Sequence, residues 1–246
     1  MTALDTPKER ERLLVVNGLS AGYGGMPALR DVSLEVRRAE IVALVGSNGA
    51  GKTTLLRALS RVIACTGTIS FNNHDLVAMT PDQAFGTGLV QVPEGRQLFD
   101  RMTVADNLMM GAYRRSDRTA IASDLERMYS LFPRLGERRT QLAGSMSGGE
   151  QQMCAMARGL MARPKLLMID EMSLGLAPVV VEQLTDVLEE IRKQDVTVLL
   201  VEQDIHLALS LADRGYVMDT GSIARSGAAK DLIDDPAVRE AYLGLA

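Results

Sequence analysis

Four short, mainly apolar runs bounded by polar turns stand out along the chain, at Glu40–Val45, Gly88–Val92, Leu166–Ile169 and Val196–Val201. Strands buried on both faces read this way, and such strands form parallel sheets. Between the last two runs, Pro178–Arg192 places Val180, Leu184, Val187, Leu188 and Ile191 on one helical face, with Pro178 suited to the first turn. That segment completes a βαβ unit. Earlier, Leu13–Asn17 and Ala28–Val36 read as antiparallel strands joined by the glycine-rich turn Gly22–Gly25, and Gly67–Phe71 extends that sheet. Thr103–Met110, Thr119–Phe132 and Gly149–Ala162 are helical in pattern with little β-branched content, which predicts a helical insertion. From Gly221 onward the pattern predicts a hairpin and then a short terminal helix, Pro236–Leu245. The fold class is mixed α/β.

Composition narrows the reading. The 246 residues are 46% hydrophobic, enough for one large domain with a buried core. No uninterrupted apolar run approaches the roughly 18 residues of a membrane span, and Met1–Arg12 is charged rather than apolar. A cytoplasmic location follows as an expectation. The run Lys8–Arg12 mixes both signs and reads as a solvated lead-in. A net charge of −4 without a basic stripe removes the electrostatic footprint of a nucleic-acid binder, so neither DNA nor RNA is expected as a partner. Cys65 and Cys154 lack metal-ligand spacing and read as isolated buried thiols.

The chemistry is concentrated at strand ends. Gly46-Ser47-Asn48-Gly49-Ala50-Gly51-Lys52-Thr53 follows the strand at Glu40–Val45 and opens a helical pattern, as a phosphate-cradling loop must. Its glycines let backbone N–H groups converge on phosphate oxygens, Lys52 neutralises β/γ charge and the Thr53 hydroxyl can hold Mg²⁺. At Leu166–Glu171 a buried strand delivers two carboxylates to its polar end. Asp170 is expected in the Mg²⁺ shell, and Glu171 at the γ-phosphate as general base. Ser147-Gly148-Gly149-Glu150 has capping-box spacing before a helix. Read locally it caps that helix; its uncovered amides also make an anion site without a lysine, suited to a γ-phosphate presented by another subunit.

These three motifs, with Val92-Pro93-Glu94-Gly95-Arg96, Ser173–Pro178 and Val201-Glu202-Gln203-Asp204, resemble the ATP-binding subunits of ABC transporters, and among them the LivF-type subunit of branched-chain amino-acid importers, from Leu14 to Gly244. The resemblance implies a P-loop NTPase core of the ABC-ATPase type with a mixed sheet, an N-terminal antiparallel β subdomain and an inserted α-helical subdomain. A lead-in at 1–12 precedes a single domain at 13–246, with the insertion at about 95–162. It implies ATP and Mg²⁺ as cofactors, held by Gly46 to Thr54 as Walker A (Thr54 included) and by Asp170 with Glu171 as Walker B. Two ATP molecules would lie in a head-to-tail dimer, each between Walker A of one chain and Ser147–Glu150 of the other. The partner is a second copy or a sister ATPase. The implied assembly includes two membrane permease subunits and, indirectly, a periplasmic substrate-binding protein, with this chain peripheral on the inner face of a bacterial membrane. A urea or amide importer and, from another class, a non-transport ABC ATPase are the alternatives.

By the same resemblance Tyr23 stacks on adenine, Glu94 takes the place of the coupling-loop glutamine and Ser173–Ala177 forms the loop that crosses to the other subunit. Gln91, in the preceding strand, is not the coupling residue. Gln203 stands where most relatives carry a switch histidine near the γ-phosphate, and is kept with Lys52 and Glu171 among the catalytic candidates. An amide cannot accept a proton as imidazole can, so the burden of base falls on Glu171. His206 reads as an ordinary helix residue after the cap Asp204, and His74 is unassigned. Met172, where relatives usually have proline, removes a φ constraint beside Glu171.

Overall fold

A computed structural model of the chain describes residues 10–240. The order begins β1 (Arg12–Tyr23), β2 (Met26–Arg37), β3 (Ile41–Val45), α1 (Lys52–Leu59), β4 (Cys65–Phe71), β5 (His74–Asp75), α2 (Pro81–Gly86) and β6 (Leu89–Val92). Helices α3 (Val104–Gly111), α4 (Arg118–Leu131), α5 (Pro133–Glu137) and α6 (Gly148–Met161) follow without an intervening strand. The chain then alternates through β7 (Leu166–Asp170), α7 (Pro178–Arg192), β8 (Thr197–Glu202), α8 (Ile205–Leu211) and β9 (Arg214–Asp219), and ends in β10 (Ser222–Ala228), α9 (Ala229–Ile233) and α10 (Pro236–Val238).

Two sheets result. One is antiparallel, in the order β2-β1-β4-β5, and the other runs β10-β9-β3-β8-β7-β6. In the second, β3, β6, β7, β8 and β9 are parallel to their neighbours and only β10 is antiparallel. The apolar runs are buried on both faces for a visible reason. Ile41, Ala43 and Val45 join the core shared with α3 to α8, whereas Val42 and Leu44 join the core under the antiparallel sheet and α1. Strands β7 and β8 divide in the same way: Leu167, Ile169, Val198 and Leu200 face one side, and Leu166, Met168, Leu199 and Val201 the other. The six-stranded sheet therefore separates two cores, and its strand ends carry the polar residues.

The mixed α/β reading agrees with this architecture, with several differences of extent. Strand β1 runs on to Tyr23 because it pairs with both β2 and β4 across irregular registers. Helices α2 and α9 are absent from the sequence reading; at six and five residues they are too short to display a helical period. The hairpin of the tail begins before Gly221, since β9 is its first strand, and α9 stands between it and α10. The lead-in at 1–12 lies outside the described residues up to residue 9, and so does the end of the helix expected over Pro236–Leu245.

Helices α3 and α6 approach closely. A Cβ placed on Gly111 would lie 1.9 Å from the Arg158 carbonyl oxygen, so only glycine allows this packing.

Candidate functional site

The loop between β3 and α1 is held by its surroundings. Gly221 N–H donates to the Ala50 carbonyl at 2.9 Å, while the Gly221 carbonyl accepts from Arg30 N–H at 2.8 Å. Gly51 caps α1 in a left-handed conformation, φ 107°, and supplies no side chain to the first-turn amides. Those amides are thus open to an anion at the positive end of the helix. Lys52 curls back over the loop. Its Nζ donates to the Gly46 carbonyl at 2.8 Å and the Ser47 carbonyl at 3.2 Å, and lies 3.4 Å from Glu171 Oε1, with side chains 4% and 9% exposed.

A cleft of about 370 Å³ opens above this loop, lined by Ala28, Asn48, Gly49, Gly51, Lys52, Thr53, Thr54, Glu94, Glu171 and Leu174. Sequence-predicted phosphate, metal and coupling residues therefore meet in one place. Ala28 is an addition with no sequence signal, since it carries no chemistry, and Leu174 brings in the Ser173–Ala177 loop. Asp170 is buried beneath, both carboxylate oxygens without a hydrogen-bond partner. Burial pushes it up to about 6, with Glu171 and Glu94 adding to the rise and the nearby Thr53 hydroxyl and Lys52 opposing it. A buried carboxylate lacking partners beside a hydroxyl suits a hard cation that takes oxygen ligands. Among the described residues no group of three or more His, Cys, Asp or Glu is arranged to hold a metal. Two protein oxygens leave the other positions to phosphate and water, the usual way Mg²⁺ is held at nucleotides.

The turn after β7 is unusual. Glu171 has φ 49°, a left-handed conformation, and its N–H donates to the Val201 carbonyl at 2.8 Å. Met172 is fully buried, and Ser173 donates from its N–H and hydroxyl to Glu202 at 3.1 and 2.9 Å. Glu202, which the sequence offers within Val201–Asp204 without a role of its own, carried a signal: like Asp170 and Glu171, it ends an apolar run.

Other candidates lie around the cleft. Tyr23 is exposed at the end of β1, and Arg57 donates to its hydroxyl at 3.4 Å. Gln203 and His206 are exposed and outside the lining of the cleft. Asp204 caps α8 by accepting from Leu207 N–H at 3.0 Å. Gln91 is half-buried and accepts from the Ser60 hydroxyl at 2.7 Å, and His74 sits exposed in β5.

Ser147 to Glu150 open α6 and line none of that cleft. Ser147 N–H and hydroxyl donate to Glu150 Oε2 at 3.0 and 2.8 Å, and Glu150 N–H returns a bond to Ser147 Oγ at 3.4 Å. Arg138 Nε lies 2.8 Å from Glu150 Oε1. Burial alone would raise the Glu150 carboxyl, but the Ser147 bonds and the charges of Arg138 and Arg134 bring it below its ordinary value. Between cleft and α6, the segment after Glu94 carries three successive left-handed residues, Gly95, Arg96 and Gln97. Arg158 of α6 donates to the Arg96 carbonyl at 3.1 Å and the Gln97 carbonyl at 2.8 Å. Beside it lies a groove lined in part by Pro93, Phe99, Met110 and Tyr113.

Comparison with known proteins gives a consistent result. The sequence pattern of the family described as ABC transporter matches residues 29–173. The chain is 46% identical over 233 residues to the high-affinity branched-chain amino acid transport ATP-binding protein BraG of Pseudomonas aeruginosa, covering 94% of this chain and 100% of that protein. It is 33% identical to the corresponding protein LivG of Escherichia coli, over 94% and 98% of the two chains. With the probable branched-chain amino acid transport ATP-binding protein LivF of Archaeoglobus fulgidus the identity is 31%, over 92% and 97%. Among solved structures, a nucleotide-free ATP-binding cassette from an ABC transporter superposes with a TM-score of 0.81 at 25% identity, covering 95% of this chain and 100% of that one.

Proposed function

The chain belongs to the ABC transporter family, and from that premise we propose that it is the ATP-hydrolysing subunit of an importer for branched-chain amino acids. ATP binding and hydrolysis are the activity of the family. The transported class follows the names of the BraG, LivG and LivF relatives. The observation that carries the mechanism is the buried meeting of Lys52 and Glu171 above the unpartnered Asp170.

The amides at the start of α1 and the Lys52 ammonium would receive the phosphates. When the γ-phosphate takes Lys52 as its partner, Glu171 loses that ion pair and turns to the attacking water. Water oxygen then bonds to the γ-phosphorus, the bond to the β–γ bridging oxygen breaks, and the water proton passes to the Glu171 carboxylate. Thr53 and Asp170 would hold Mg²⁺, which would supply positive charge against the phosphates. Tyr23, beside α1, would stack on the base. Ser147 to Glu150 of a second subunit would close over the γ-phosphate, and Gln203 would approach it from the end of β8.

In a transporter, closure would be passed to a membrane partner; among the described residues no helix of this chain is long and apolar enough to cross a membrane. The groove beside Glu94, with exposed Phe99, Met110 and Tyr113, fits an apolar segment of a permease subunit at the inner membrane face. Glu171→Gln tests the central assignment. It is expected to bind Mg-ATP at least as tightly as the parent, since no ion pair must be broken, and to turn over about 10²-fold more slowly. Undiminished ATPase activity would remove Glu171 as base.

A further inference from the structure

We propose that Glu202 is a positioning residue for ATP hydrolysis, holding through Ser173 the turn that aims Glu171. The inference rests on Glu171 acting as the base. Glu202 ends β8 and is 1% exposed, a place where a carboxyl persists only with hydrogen bonds. Both its oxygens are committed to one residue: Oε1 accepts from Ser173 N–H at 3.1 Å and Oε2 from the Ser173 hydroxyl at 2.9 Å. One position earlier, the Val201 carbonyl accepts from Glu171 N–H at 2.8 Å. The last two residues of β8 therefore hold the first and third residues of the turn, and the second, Met172, is fully buried.

The turn needs this many attachments. Glu171 is left-handed at φ 49°, a conformation that side chains disfavour and that persists only when its surroundings determine it. Methionine at 172 brings no ring to restrict the backbone there. Without Ser173 fastened to β8, and once the γ-phosphate has taken Lys52, relaxation of the left-handed residue would be opposed by its bond to Val201, a 3.5 Å bond from Leu174 N–H within the turn itself, and buried Met172. Relaxation would move the Glu171 carboxylate, and with it the point to which a water proton must pass. Because Gln203 follows directly, the same pair links the two loops expected to converge on the γ-phosphate. Burial pushes Glu202 up to about 7, with Glu171 and Asp204 adding and the two Ser173 bonds opposing. The serine serves either protonation state, since a hydroxyl both donates and accepts.

A carboxyl that merely completes a strand end would affect stability and leave the chemical step alone. Steady-state ATPase kinetics and Mg-ATP binding separate the two roles, measured on Glu202→Ala, Glu202→Gln and Ser173→Ala with Glu171→Gln as reference. Glu202→Ala is expected to lose about 10- to 100-fold in kcat with little change in Mg-ATP affinity, the loss that follows displacement of a reacting group. Glu202→Gln should recover most of that kcat, because its amide oxygen accepts from Ser173 N–H while its NH₂ donates to the hydroxyl. Equal losses for Ala and Gln, or parental kcat in a folded Glu202→Ala protein, overturn the proposal. Should Glu202→Ala fail to fold, Ser173→Ala decides: it removes one bond, should lower kcat several-fold, and overturns the proposal if kcat is unchanged. Parental turnover in Glu171→Gln would overturn the base and this role together. Loss there with no loss in the Glu202 and Ser173 variants would overturn this role alone.

Discussion

Asp170 shows at one residue how a site assembled for a ligand costs stability without it. Its carboxyl is pushed from an ordinary 3.8 up to about 6, burial being the largest cause. Between those values the folded chain holds more protons than the unfolded chain, so stability falls as the pH rises through about 6. A shift of this size corresponds to about 3 kcal/mol lost at pH 8, taken as an upper bound. Glu202, pushed from 4.5 up to about 7, acts in the same direction. Asp117, Asp124 and Glu150 are lowered instead, and their contributions change at more acid pH. Without nucleotide, the thermal midpoint should therefore fall from pH 5 to pH 8. Asp170→Asn should flatten that fall and raise the pH 8 midpoint while abolishing Mg²⁺-dependent turnover. A variant that is no more stable at pH 8 would mean that Asp170 is already compensated in the free protein.

At the scale of elements, the contact between α3 and α6 joins the apolar groove to the helix opened by Ser147. Gly111 sits at its closest point, where a Cβ would meet the Arg158 carbonyl oxygen at 1.9 Å, and Arg158 itself fastens the left-handed segment after Glu94. Backbone cannot yield as a flexible side chain can, so Gly111→Ala should cost about 1–3 kcal/mol in denaturant unfolding. An unchanged midpoint would show that the two helices separate freely. Much of this level was legible in the sequence. Helix α7 occupies the predicted Pro178–Arg192, and β3, β6, β7 and β8 lie within a residue or two of the four apolar runs, because burial on both faces leaves an unbroken signal; β9 of the same sheet matched none of them. Helices α2 and α9 left no such signal, being under two turns long. The glycine spacing of the phosphate loop was readable because backbone geometry dictates it. The Ser173–Glu202 pair was not: its members lie 29 residues apart, and nothing local says that the turn after Glu171 folds back onto β8. The left-handed Arg96 and Gln97 were equally hidden, since neither is the glycine that announces such a conformation.

For the whole molecule the decisive fact is that the phosphate loop and the Ser147 loop, both proposed to meet the nucleotide, do not share a cleft. Lys52, Thr53 and Glu171 line the cleft above the phosphate loop, whereas Ser147 to Glu150 line none of it. On the proposed function a complete site needs a second subunit, and in a two-fold pair each chain would give its phosphate loop to one site and its Ser147 loop to the other. ATP would drive that closure by binding the closed pair more tightly than the separate chains. Two disabled chains test it when mixed. Lys52→Ala removes the phosphate contact but keeps the Ser147 loop; Ser147→Arg fills that loop but keeps Lys52. Alone, each pairs into two broken sites. Mixed in equal amounts, half the pairs are heterodimers, each with one site built from the intact halves, so activity should return to about a quarter of the parental value. A site completed within one chain would stay inactive in the mixture, because every chain carries a lesion. Recovery would thus assign the working pair to two copies of this chain. Continued inactivity, with both variants folded and the parent active alone, would rule out sites shared between copies.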